Sequence, residues 1–279
     1  MSELIARPAE PDEAGNVLRI TPASAGWTYV GFEVYRLKPG QTLERQTEAQ
    51  EACLVLLSGL ADAEAGGQRW PGIGKRMDIF EGTPPYSVYV PEQQSYRITA
   101  VTDVELAVCL APGLGGGLPA RLIAPERVGV EPRGYGSMTR RVQNILPESE
   151  PADSLLVVEV FTPAGNWSSY PPHKHDQDNL PAESYLEETY YHRVNPGKGF
   201  AVQRVYTDDR SLDETLTVRD GEAVLVPRGY HPVSAAPGYD SYYLNVMAGP
   251  VRTWKFHNDP AHEWLFPKPA SSPEPKEEA

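Results

Sequence analysis

Tyr170-Pro171-Pro172-His173-Lys174-His175-Asp176 sets two imidazoles one residue apart, and on an extended strand residues i and i+2 leave the same face. A helix would turn them away from each other, and the two prolines just ahead disfavour helix and hold the approaching backbone extended. The spacing reads as half of a metal site begun on a β-sheet. All six histidines lie beyond residue 172, so an imidazole-rich site belongs to the second half of the chain.

Working outward, the pattern is β nearly throughout. Residues 27–37, 52–57, 87–90, 155–161, 188–194, 200–206, 223–226 and 242–246 form short runs rich in Val, Tyr, Phe and Leu, bounded by turn residues. No long segment carries an apolar stripe of helical period. Twenty-eight prolines and 24 glycines fit many turns between short strands, as in a sandwich or barrel. At 279 residues the chain exceeds the usual size of one domain. Ala111-Pro112-Gly113-Leu114-Gly115-Gly116-Gly117-Leu118-Pro119 reads as a connection between two β units. Residues 267–279, mostly Pro, Ser, Glu and Lys, have almost nothing to bury and are expected to form a disordered tail.

Charge removes several classes of function. Lys and Arg number 25 against 38 Asp and Glu, a net charge of -13 with no basic stripe, which argues against nucleic acid and anionic membranes as partners. No apolar stretch is long enough to span a bilayer and no secretory leader is present, so a cytoplasmic protein is expected. Cys53 and Cys109 sit inside apolar runs and read as small buried hydrophobes rather than a disulfide framework.

Two ligands are not a site. Leu186-Glu187-Glu188-Thr189-Tyr190-Tyr191 opens a strand with adjacent carboxylates, and Gly221-Glu222-Ala223-Val224-Leu225-Val226-Pro227-Arg228-Gly229-Tyr230-His231 ends in a third histidine after a Pro/Gly turn. The order His-x-His, Glu, Gly-x5-Pro-x-Gly, His resembles the two motifs of the cupins. That resemblance implies a jelly-roll barrel with His173, His175, Glu188 and His231 pointing inward at one metal ion. Glu187 competes with Glu188, since adjacent strand residues face opposite sides; Glu188 is preferred because it puts Tyr190 on the same inward face. The chain departs from the usual motif in the longer segment between His175 and the glutamate, which implies an inserted loop over residues 176–184. Only one residue separates Gly229 from His231, and Ala235 stands where an Asn is usual.

Longer strings narrow the family. Asn166-Trp167-Ser168-Ser169-Tyr170 running into the His-x-His pair, Gln203-Arg204-Val205-Tyr206-Thr207-Asp208-Asp209-Arg210, Tyr243-Leu244-Asn245-Val246-Met247-Ala248-Gly249-Pro250 and Trp254-Lys255-Phe256-His257-Asn258-Asp259-Pro260 are similar to the 5-deoxy-glucuronate isomerases of myo-inositol catabolism. The likeness covers residues 10–266. It implies an all-β bicupin of two jelly-roll barrels, related to the 4-deoxy-hexuronate isomerases of pectin degradation. Residues 1–125 would form a degenerate first barrel without histidine, and 126–266 the metal-binding, catalytic one. The implied reaction interconverts an aldose acid and its 2-ketose, with one divalent transition metal per chain: zinc first, manganese, iron, cobalt or nickel as alternatives. A homo-oligomer is expected, paired through sheet surface of the first half.

Such a reaction also needs a proton carrier and a grip on a carboxylate. Tyr190, Glu187 and His257 are the candidates for the first role. For the second, Arg204 comes first, with Lys174 and Arg228 behind it. The competing readings are another sugar-acid isomerase, a cupin dioxygenase using the same ligand set on iron, and a non-enzymatic sugar-binding bicupin.

Overall fold

Strands carry almost all of the regular structure in the computed structural model, which describes residues 2–266. The segment expected to be a disordered tail, 267–279, lies outside the described residues. Among the described residues the one α-helix is the single turn Pro22–Ala25. The first barrel pairs a six-stranded sheet, in spatial order Arg121–Ile123, Ser87–Val90, Gln50–Ser58, Val104–Pro112, Gly31–Leu37 and Asn16–Ile20, with a four-stranded sheet of Thr42–Gln46, Ser95–Ala100, Ala61–Ala65 and Gln68–Ile73. The second has a seven-stranded sheet ordered Ile5–Ala6, Ala223–Val226, Glu187–Asn195, Asp240–Ala248, Leu156–Thr162, Arg140–Leu146 and Gly129–Arg133. Against it lie Trp167–Ser168, Val233–Ala235, Phe200–Tyr206 and Asp213–Arg219. One short strand crosses the expected division near residue 125: Ile5 and Ala6 pair with Val224 and Ala223 of the second barrel.

Three apolar cores follow from the alternation of side chains along these strands. In Gln50–Ser58, Ala52, Leu54 and Leu56 enter the first barrel, while Cys53, Val55 and Leu57 point to the second. In Glu187–Asn195, Tyr190 enters the second barrel and Tyr191 faces the first. The shared core between the two large sheets takes in Phe32, Tyr89, Val157, Tyr242, Leu244 and Val246. Strands buried on both faces lose the polar/apolar alternation of a half-exposed sheet, so they read as continuous apolar runs. Cys53 and Cys109 lie opposite each other in this shared layer, both buried and free, and burial pushes the Cys53 thiol up to about 12.

Buried carboxylates fasten the barrels together. Glu51 accepts from the backbone N–H of Asp153, Ser154 and Leu155 at 2.7, 2.6 and 2.6 Å, and from the Tyr89 hydroxyl at 2.6 Å. Glu187 does the same in the other direction, accepting from Thr28, Tyr29 and Val30 N–H at 2.6, 2.6 and 3.0 Å. Each triplet immediately precedes a strand, Gly31–Leu37 or Leu156–Thr162, of the opposite barrel's large sheet. Arg76, from the first barrel, and Glu159, from the second, add a two-pronged ion pair at 2.9 and 2.8 Å. The position of Glu187 corrects the expectation that it works at the metal: it faces away from that barrel's interior, and its oxygens are taken up by backbone donors. Glu187→Ala is expected to cost about 2–3 kcal/mol, the penalty of leaving partly buried amides without an acceptor, while metal content stays at the wild-type level. Denaturant melts beside metal analysis check this; loss of metal without loss of stability would return Glu187 to the site.

Candidate metal centre

The His-x-His segment is held by short pieces of strand. His173–Lys174 pairs with His257–Asn258 at the barrel's rim, and the turn to Asp176–Asn179 follows at once. Glu188 sits in the middle of the large sheet, opposite Val226 on one side and Met247 on the other. His231 follows the turn at Gly229, whose φ of +89° is in the left-handed region. A Cβ there would stand 2.4 Å from the Tyr206 carbonyl oxygen, so only glycine lets the chain pass and deliver His231 inward.

Three side chains converge inside the second barrel, with His173 next to them. Glu188 Oε2 is 3.1 Å from His175 Nε2 and 3.2 Å from His231 Nε2, and the donor atoms of these three residues lie within 4.8 Å of one another. The His173 ring centre is 4.9 Å from that of His231 and 6.4 Å from that of His175. His175 Nδ1 lies 3.0 Å from the Leu186 carbonyl and His231 Nδ1 lies 2.8 Å from that of Gly229. A carbonyl only accepts, so in the neutral ring the proton belongs on Nδ1 and the Nε2 lone pair faces the carboxylate.

Charge confirms what the hydrogen bonds imply. Burial, with the neighbouring cationic groups, pushes His173 and His231 down to about 3, which keeps both imidazoles neutral. At His175 burial also opposes the charged form, but the Glu188 carboxylate outweighs it and draws the ring upward. His231 Nε2 has no hydrogen-bond partner among the described residues despite being fully buried. Lone pairs aimed at a buried carboxylate are an arrangement short of one cation. The donor set of His175, Glu188 and His231 therefore fits a divalent transition metal, and the His173 ring stands beside His231.

The inward face of the Glu188 strand continues with Tyr190 and His192. The Tyr190 hydroxyl lies 3.0 Å from Ser169 Oγ, and burial together with Glu188 holds its phenol well above the usual range. His192 Nε2 lies 2.9 Å from Gln203 Oε1, and burial pushes that ring down to about 4. Tyr191, on the other face, donates to Glu105 of the first barrel at 2.5 Å.

Several expected residues are elsewhere. Arg204 points outward into a paired contact with Asp213 at 2.8 Å; Gln203, one position earlier, is the inward residue of that strand. Lys174 turns to the opposite side from its two histidine neighbours and is buried against Asp176, Glu183 and Asp208 at 2.7, 3.5 and 3.4 Å. Arg228 is exposed beside that acidic cleft. His257 is exposed at the rim, in register with Lys174 rather than aimed at the metal ligands. None of these four reaches the ligands, because strand parity or the turn carries each to another side. A cavity of about 590 Å³ touches His173, and is lined also by Arg133, Arg140, Tyr170, Trp254 and Phe256. The two arginines flank a glycine-containing turn outside the ligand motifs, and nothing in the sequence sets them apart from its 25 Lys and Arg.

The pattern of the KduI/IolB family spans residues 4–265. The chain belongs to the KduI/IolB family. Within the KduI/IolB family, it is 70% identical to the 5-deoxy-glucuronate isomerase of Geobacillus kaustophilus (strain HTA426), over 95% of this chain and 96% of that one. It is 51% identical to the 5-deoxy-glucuronate isomerase of Bacillus subtilis (strain 168), over 95% and 99%. Its structure matches that of an IolB-like protein from Salmonella typhimurium LT2 with a TM-score of 0.92 at 54% identity, covering 95% of this chain and 99% of that one. The oxalate decarboxylase of Lactobacillus farciminis, 13% identical, shares the fold over 92% of this chain and 89% of its own with a TM-score of 0.63. The architecture is that of a KduI/IolB bicupin, with the His175, Glu188 and His231 cluster in the second barrel.

Proposed function

We propose that this chain is a metal-dependent aldose-ketose isomerase that converts 5-deoxy-glucuronate to 5-dehydro-2-deoxy-gluconate in myo-inositol catabolism. The reading is carried by one observation: His175, His231 and Glu188 converge on a common point in a barrel that opens to a sugar-sized cavity, in a chain 70% identical to an isomerase of that name. His173, His175, Glu188 and His231 would hold the ion. Three neutral imidazoles and one carboxylate leave a divalent ion with a net charge of about +1. When bound, the ion supplies positive charge against the two oxygens of a hydroxycarbonyl, where proton transfer and hydride shift alike build negative charge. Tyr190 keeps its proton and donates from Oη beside Glu188, a position suited to the same developing charge. Ser169 fixes the direction of that hydroxyl. The apolar wall of the second barrel, with Val226, Met247 and Leu186 behind the ligands, keeps water from the reacting carbons.

Turnover of 5-deoxy-glucuronate before and after removal of metal by a chelator tests the proposal. Activity is expected to fall at least about 100-fold and to return on adding back zinc, manganese, iron, cobalt or nickel, the best of them identifying the working metal. Full turnover by metal-free protein would end the metal reading, and no turnover by any loaded form would end the isomerase reading.

A further inference from the structure

The mouth of the cavity beside His173 carries an arrangement that packing within the fold does not explain. Arg133 and Arg140 end neighbouring strands in direct register, and like charges facing each other across a ladder are destabilising. Arg133 is neutralised by Glu131, with contacts of 2.9 and 2.5 Å, and lies 5.5 Å over the Trp254 ring. Arg140 is different. Half-buried, it gives Nη1 to the carbonyls of Met138 and Tyr170, both at 3.1 Å, and no carboxylate among the described residues pairs with it. Gly134 leaves it room: with φ at +78°, a Cβ there would stand 2.7 Å from Arg140 Nη1. The guanidinium lines the same cavity as His173, and burial lowers Arg140 itself. A half-buried cation without its own counter-ion, on the wall through which a substrate passes, is a built place for an anion.

We infer that Arg140 holds the terminal carboxylate of the substrate at the cavity mouth, and so selects sugar acids over neutral sugars while the hydroxycarbonyl end reaches the His175, Glu188 and His231 cluster. This rests on the isomerase reading and specifies how that site tells its substrate from a neutral hexose. Arg204 and Lys174 cannot do so, because each already has its acidic partners. Arg133 stays with Glu131.

The test compares 5-deoxy-glucuronate with 5-deoxy-glucose, which ends in an alcohol, on metal-loaded wild type, Arg140→Met and Arg140→Lys. Arg140→Met is expected to lose at least about 30-fold in kcat/KM for the acid, mostly in KM, the scale for losing one partner of a desolvated ion pair. It should keep its metal and stay within about 3-fold of wild type on the neutral sugar. Arg140→Lys, which keeps the charge without the fork, should fall between. Equal losses on both sugars, or loss of metal, would show a structural role for the Tyr170 contact and overturn the inference; so would an undiminished rate on the acid. Calorimetric titration with the acid whose aldehyde has been reduced to an alcohol gives a readout independent of turnover. Binding by wild type that Arg140→Met loses supports the carboxylate site even if no isomerisation is found, whereas equal binding by both refutes it.

Discussion

His231→Ala is expected to yield a folded protein that binds no metal and has lost at least about 10³-fold in kcat/KM, the equivalent of roughly 4 kcal/mol of transition-state stabilisation. The fold should survive because His231 makes little use of its polar atoms: one nitrogen meets the Gly229 carbonyl and the other has no hydrogen-bond partner among the described residues. Its burial keeps it neutral, so no buried charge is stranded when it goes. Chelated wild type is the proper reference, since both proteins then lack the ion. Against it the variant should melt a few degrees lower at most, reflecting only the volume of the missing ring. Metal analysis, circular dichroism melts and initial rates decide the matter. Wild-type turnover by a metal-free His231→Ala protein would remove the ligand assignment altogether.

The largest stability effect is expected between the two barrels. Arg76→Met should destabilise the protein by about 3–5 kcal/mol, the cost of leaving one member of a buried ion pair without its partner. Arg76 is 1% exposed and Glu159 fully buried. Besides Glu159, the guanidinium satisfies the carbonyls of Leu57 and Thr83 at 2.7 and 3.0 Å. Glu159 also accepts from the Tyr242 hydroxyl at 2.9 Å. The double change Arg76→Met, Glu159→Leu removes both charges together and should recover much of the loss, because two apolar side chains suit the surrounding shared core. Denaturant unfolding of the two single variants and the double variant measures the coupling. A single substitution that costs less than about 1 kcal/mol would mean that water reaches the pair.

The convergence of His175, Glu188 and His231 was legible in the sequence because motif spacing encodes it: the His-x-His pair, the strand carboxylate and the glycine turn before His231 each have a backbone reason to be where they are. Parity chose Glu188 over Glu187, since Tyr190 had to share its face. What parity could not show was the identity of the second face. In a lone barrel Glu187 would point to water or to the rim; here the outer face of the sheet lies against another barrel, and the residue becomes an acceptor for Thr28, Tyr29 and Val30. Arg204 failed for a related reason. A strand bordered by polar residues on both sides gives no sign of which alternate set enters, and the structure turned Gln203 inward. Arg140 was invisible to motif reading because its role depends on a cross-strand neighbour and on a cavity assembled from four separate segments.

The reciprocal grip of Glu51 on one amide triplet and Glu187 on the other describes how this chain resists being cut in two. Each half contributes one carboxylate and one run of three donors, and exchanging the halves reproduces the contact. That is the signature of an isologous interface, the kind by which identical subunits recognise each other, here enclosed within a single polypeptide. A second half produced alone would still own Glu187 together with the amides of residues 153–155, both sides of a self-complementary bond. Separated from its covalent mate, it carries the means to recruit a copy of itself.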